Sequence, residues 1–106
     1  MSHLKPSFIA QLIYHTTEEG GRKTPAKSGY RPQVAFEFTE MQSSGQQIFL
    51  DKEIVYPGET VKAEITILSP QFFKGKIKVG TKYEFREGPR VIGTGEILEI
   101  LDEGLL

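Results

Sequence analysis

From Val61 to Ile67 apolar and polar residues alternate without a break: Val61, Ala63, Ile65 and Ile67 against Lys62, Glu64 and Thr66. Successive side chains of an extended chain point to opposite faces, so this pattern gives a half-buried strand one dry row and one wet row. The same period recurs along the chain. Phe8, Ala10, Leu12 and Tyr14 share one face, and Ile9, Gln11, Ile13 and His15 the other. Val34, Phe36 and Phe38 alternate with Ala35, Glu37 and Thr39, and Tyr83 and Phe85 with Lys82, Glu84 and Arg86. Nowhere does an apolar i, i+3, i+4 pattern persist long enough for a helix. Ser44-Gly45, Pro57-Gly58, Ser69-Pro70, Gly75, Gly80 and Gly88-Pro89 read as turns between the runs. The reading is roughly six or seven strands, at about 7–15, 33–39, 46–50, 60–69, 76–79, 81–87 and 90–101. Short, regularly spaced strands without helices imply an all-β sandwich or barrel. Gly93 and Gly95 fall inside the last strand, where glycine marks a bulge, a barrel corner or a close backbone approach.

A chain of 106 residues makes one domain, 1–106, with an ordered core expected at about 7–101. Only the first few and last few residues read as candidates for disorder. The net charge of −1 gives no global basic field, so any nucleic-acid role must rest on a local patch. The absence of cysteine removes disulfides, thiolate metal sites and thiol nucleophiles, and fits a reducing compartment. Apolar runs are too short for a transmembrane helix, and Met1–Pro6 lacks the apolar core of a signal peptide. The expectation is a cytoplasmic protein without a membrane partner, and the leading Met1 suggests a complete chain.

Glu18 to Gln33, EEGGRKTPAKSGYRPQ, is too long to be a mere connection between two strands in so small a domain. Arg22, Lys23, Lys27 and Arg31 lie in it with no acid among them. A second basic run, Lys74, Lys76, Lys78 and Lys82, follows Phe72 and Phe73; Arg86 and Arg90 flank the Glu87-Gly88-Pro89 turn. Two such groups brought together would track a phosphate backbone. The plainer role for Lys76 and Lys78 is the wet face of an edge strand, where lysine deters aggregation.

Catalytic patterns are missing. There is no GxxxxGK[ST] and no GxGxxG opening a helix, so no nucleotide and no cofactor is expected on this chain. His3 and His15 have no metal-ligand spacing and read as an exposed terminus and a strand end. The pairs Glu18-Glu19 and Asp102-Glu103 read as solvated loop and tail charge rather than an acid–base pair. The chain reads as a non-enzyme.

Glu18-Glu19-Gly20-Gly21-Arg22, Thr24-Pro25 and Gly29-Tyr30-Arg31-Pro32-Gln33 resemble the signature loop of the third, C-terminal domain of elongation factor Tu. Pro57-Gly58 with Val61 is similar to that family's PGDxV turn and strand, and Arg86-Glu87-Gly88, Arg90, Gly93 and Gly95 to its REGGRTVGAG hairpin. The resemblance covers about residues 8–101. It implies a six-stranded antiparallel Greek-key β-barrel. In the full factor that domain packs on the GTP-binding domain and contacts the T-stem side of aminoacyl-tRNA and the nucleotide exchange factor. By resemblance Arg22, Arg31, Gln33, Arg86 and Arg90 would inherit that surface, with Lys23, Lys27 and Tyr30 beside them. Lys23 stands where the family usually has histidine, Ala26 and Lys27 where it has aromatics, and Pro89 replaces the second glycine of REGG. The Pro70–Arg86 stretch is about four residues longer than the family's. The expected role is a stand-alone, non-catalytic module that binds tRNA or another RNA. The alternative is a protein-interaction or structural domain whose partner is a GTPase or translation factor.

Overall fold

The structure, a computed structural model, describes residues 5–106. His3 and the first few residues lie outside that range. The barrel strands are β1 (Phe8–Tyr14), β3 (Gln33–Phe36), β4 (Gln42–Phe49), β6 (Thr60–Ile67), β7 (Lys82–Glu87) and β8 (Arg90–Ile100). They close into an antiparallel barrel in the order β1-β6-β4-β3-β7-β8. A two-stranded ribbon, β2 (Ala26–Lys27) with β5 (Ile54–Val55), stands apart from the wall. The alternation sets the faces: Phe8, Ala10, Leu12, Tyr14, Val61, Ala63, Ile65, Ile67, Tyr83 and Phe85 all point into the core.

One end of the barrel carries the end of β1, the start of β8 and the β7–β8 turn, since Tyr14 pairs with Gly93 and Glu87 with Arg90. We call it the loop end, because residues 15–32 leave β1 there. The ribbon plugs it: Ala26 and Val55 face each other and are both buried in the core. The opposite end is closed by Phe73, Ile77 and Leu105. Among the described residues no helix is long and apolar enough to cross a membrane.

Gly93 and Gly95 resolve as close approaches. A Cβ on Gly93 would lie 2.2 Å from Cζ of Phe85, and one on Gly95 2.5 Å from Cζ of Tyr83. Both rings lie across the neighbouring strand, in the space left free by the absent side chains. The adjoining ladder shifts register between Phe85 and Arg86.

Four expectations need correction. Residues 76–79 form no strand: Lys76 N–H bonds Phe73 O at 3.1 Å and Thr81 N–H bonds Lys78 O at 3.0 Å, and positive φ at Gly75 and Gly80 breaks any extended run. Ile77 turns inward as a plug, so Lys76 and Lys78 edge no sheet. Ser44-Gly45 is no turn but the middle of β4, which starts four residues before the expected 46. Gly45 is required there because a Cβ would meet Cγ2 of Val34 at 2.4 Å. The third strand stops at Phe36, and Phe38, 41% exposed, stacks on Phe36 rather than entering the core. Finally, the C-terminus is not loose: Leu105 is 1% exposed, in a short 3-10 turn (Glu103–Leu105) whose carbonyl accepts Gly75 N–H at 2.7 Å.

Candidate functional site

The loop of residues 15–32 begins as a tight turn. Thr16 N–H donates to the Glu19 carboxylate at 2.8 Å while Glu19 N–H donates to the Thr16 hydroxyl at 3.1 Å, a reciprocal pair that closes the turn. The Thr16 backbone bond holds the Glu19 carboxyl below the usual carboxylate range. Gly21 then passes so close to the end of β1 that a Cβ would lie 2.4 Å from the His15 carbonyl oxygen. Only glycine fits there, and it delivers Arg22 to the β7–β8 turn.

Arg22 is held from three sides. Its Nε donates to Thr24 O at 3.2 Å and its Nη2 to Thr24 Oγ1 at 3.1 Å and Pro25 O at 3.4 Å. Its Nη1 donates to the Glu87 carboxylate, and its guanidinium lies over the Tyr30 ring, 4.6 Å from the centroid. Tyr30 donates its hydroxyl to the same carboxylate oxygen of Glu87. Arg22 and Glu87 are 18% and 35% exposed, so the pair sits at the rim. Burial works to lower the Arg22 pKa, but Tyr30 and Glu87 outweigh it and the guanidinium is held more firmly protonated. Burial, then the Glu87 bond, pushes the Tyr30 hydroxyl up.

A second chain of bonds ties this cluster to the core. Gln47, buried and inward-facing in β4, accepts from the Tyr14 hydroxyl. Its N–H donates to Tyr30 O at 2.8 Å and its carbonyl accepts Gly29 N–H at 2.7 Å. Burial pushes the Tyr14 pKa up, so the hydroxyl stays a donor. Tyr14→Phe is expected to cost about 1–3 kcal/mol by leaving the Gln47 amide without its buried donor. Adding Gln47→Met should recover part of that, because removing both partners is far cheaper than removing one. Urea unfolding of the three variants checks this.

Of the expected site residues, Arg22, Tyr30, Gln33, Arg86 and Arg90 come together. Gln33 pairs with Arg86, and Arg90 with Glu87, so the base of the loop and the turn share one corner of the barrel. Lys23, Lys27, Arg31 and Arg90 are exposed and make no ion pair among the described residues. Arg86 is engaged by Glu84 at 2.7 Å, with its Nε buried and without a hydrogen-bond partner among the described residues. The acids nearby are partly spent on the backbone and on Arg22: Glu19 on Thr16, Glu59 on Tyr56 N–H, Glu87 on Arg22 and Tyr30. Glu18, Asp51 and Glu53 stay exposed at this end.

One sequence expectation shifts here. Arg22, read as a free phosphate contact, has its charge occupied within the protein. Ala26, which with Lys27 stands where the family has aromatics, is a core residue at 2% exposure, while Lys27 alone reaches solvent. The sequence reading missed Glu87 and Gln47. Glu87 stood in the turn motif but offered no hint that the loop would fold back on to it. A lone Gln in a polar stretch carries no signal of burial. The Lys74–Lys82 run is not part of this site, since Lys82 begins β7 at the opposite end from Glu87. No group of three or more potential metal ligands occurs among the described residues.

On the barrel wall, a groove of about 770 Å³ crosses β1, β8, β7 and β3. Glu37, Glu40, Glu84 and Glu96 line it with Lys82 and Arg86.

The family model of the elongation factor Tu C-terminal domain matches residues 3–101. That span takes in every barrel strand, the loop at 15–32 and the β7–β8 turn. With the closed six-stranded barrel and the loop folded against its hairpin, the chain belongs to the elongation factor Tu C-terminal domain family, a non-catalytic β-barrel of translation factors.

Proposed function

We propose that this barrel is a non-catalytic, cytoplasmic binding module of the translation apparatus that holds RNA, tRNA foremost, at its loop end. The observation that carries the reading is the convergence of the 18–33 loop and the 86–90 turn, joined by Arg22 and Glu87. It gathers Lys23, Lys27, Arg31 and Arg90 at one end, with no ion pair to any of them among the described residues. Exposed cations on a rigid frame suit phosphate contacts, which set affinity and release counterions. Tyr30 fixes the loop's position through Gln47 and Glu87, and Gln33 and Arg86, paired across β3 and β7, frame the surface.

Binding of bulk tRNA across a salt series tests this. Affinity should fall steeply as salt rises, and Arg31→Ala and Arg90→Ala should each weaken binding and flatten the slope by about one. No binding at 50 mM salt, an arbitrary low point of roughly a 14 Å screening length, would sink the reading.

A protein partner, a GTPase or another translation factor, is the second reading. The wall groove favours it, being concave and lined by acids that would repel RNA. Tight binding of a purified GTPase, lost on reversing Glu37 and Glu40, together with no tRNA binding would decide for it.

A further inference from the structure

Between β6 and β7 the chain crosses the barrel mouth opposite the loop end, and two of its side chains, Phe73 and Ile77, fill that mouth. The crossing is built from two tight turns. In the first, Lys76 N–H bonds Phe73 O at 3.1 Å, with Lys74 (φ −58°, ψ 131°) and Gly75 (φ 75°) at the corners of a type II turn. In the second, Thr81 N–H bonds Lys78 O at 3.0 Å, with Val79 and Gly80 (φ 92°) at the corners. The Thr81 hydroxyl accepts Lys78 N–H at 3.0 Å and closes this turn a second time. Val79 is 61% exposed there. Leu68 and Phe72, at the start of the crossing, are 58% and 42% exposed. Lys74, Lys76 and Lys78 lie exposed between Phe72 and Val79 in the chain, with no ion pair to any of them among the described residues. No acid occurs from residue 65 to residue 83. In the adjoining C-terminal turn, Asp102 accepts Gly104 N–H and lies 4.0 Å from Lys5, while Glu103 stays exposed.

We propose that this crossing is a peripheral membrane-docking tip: Phe72 and Val79 enter the interface of an anionic bilayer, and Lys74, Lys76 and Lys78 meet its headgroup phosphates. The site is independent of the RNA reading, which concerns the other end of the barrel. Charge complementarity selects the occupant. Three lysines with no acid in their own segment match an anionic leaflet, each strengthening partitioning by about five-fold. The apolar side chains agree with it. A fluid interface accepts a projecting valine or phenylalanine without a matching pocket, whereas a protein partner must supply one for each. Lysine suits the boundary, because its stem lies along apolar surface while the ammonium stays wet. An RNA backbone would leave Val79 and Leu68 without a role, and the segment has no arginine for bidentate phosphate contact. Such contact is peripheral and needs no spanning helix. The two turns are already closed by hydrogen bonds, so little ordering is left to be done on docking.

Flotation of the full chain with large unilamellar vesicles tests this, using pure phosphatidylcholine or a mixture with roughly one-third phosphatidylglycerol. Anionic vesicles should carry the parent at low salt and release it as salt rises to about 0.5 M, and neutral vesicles should not carry it. The triple variant Lys74→Ala/Lys76→Ala/Lys78→Ala should lower partitioning on the order of 100-fold. Phe72→Ser should lower it roughly ten-fold. The chain has no tryptophan, so Val79→Trp is a single reporter, and its emission should shift to the blue on anionic vesicles. That variant also carries the experiment should another unfold. A parent that does not float with anionic vesicles overturns the proposal. Flotation unchanged by Phe72→Ser, or tryptophan emission unmoved on bound vesicles, overturns it too, because the lysines would then be a bare charge patch. Binding of tRNA that the triple lysine variant loses, without flotation of the parent, gives this surface to RNA instead.

Discussion

Replacing Phe85 with alanine is expected to lower the unfolding free energy by about 3–5 kcal/mol, a large share of what a domain of this size possesses. Phe85 is wholly buried, packs edge-on against Tyr14 at 5.0 Å and covers the backbone of Gly93. Its loss empties the barrel between two strands whose backbones cannot close the gap. The complement should also hold. Gly93→Ala puts a Cβ 2.2 Å from the Phe85 ring and 2.7 Å from the Ile13 carbonyl oxygen, and should cost about 1–3 kcal/mol or more. The ring cannot retreat, with Tyr14 behind it. In the Phe85→Ala background the same substitution should cost less, though not nothing, since the Ile13 oxygen remains. A double-mutant cycle by urea unfolding reads this coupling, expected at about 0.5–3 kcal/mol. Strict additivity would mean that ring and glycine do not share space.

Leu105→Ala carries the second large effect, about 2–5 kcal/mol, although it lies one residue from the end of the sequence. A frayed tail would register nothing. Here Leu105 is 1% exposed and helps to close the barrel beside Phe73 and Ile77, while its carbonyl takes the Gly75 N–H. The Asp102 carboxylate caps the turn that turns Leu105 inward, accepting Gly104 N–H at 3.0 Å. A midpoint in urea indistinguishable from the parent's would show that this end is plugged without it.

Leu105 also marks where the sequence stops being legible. The barrel strands announce themselves because a half-buried strand must alternate, and β1, β6 and β7 follow that rule closely. The plugs give no such signal. Lys76-Ile77-Lys78-Val79 alternates yet forms no strand, Leu105 stands beside the exposed Leu106, and what buries Ile77 and Leu105 is a barrel mouth assembled from distant strands. The start of β4 was hidden for a related reason: Gly45 has the composition of a turn, yet it sits in a strand because Val34 leaves room for nothing larger. At the candidate site, the resemblance located the loop and the hairpin, and the charges could be counted. Which charges were spent could not. Arg22 and Glu87 are 65 residues apart, and only the closed barrel brings them together. Ala26 and Lys27 illustrate the same limit, adjacent in sequence and divided by the ribbon between core and water.

The way the chain enters and leaves the barrel has a practical consequence. The Ser7 carbonyl accepts both Leu101 N–H at 3.0 Å and Asp102 N–H at 3.1 Å, so the incoming and outgoing segments are stitched together at the end away from Arg22 and Glu87. Entry and exit adjoin like the two wires of one plug. The domain can therefore be spliced into a surface turn of a carrier protein without being stretched. A tag on either terminus also orients every molecule with the same polarity, its loop facing the solution.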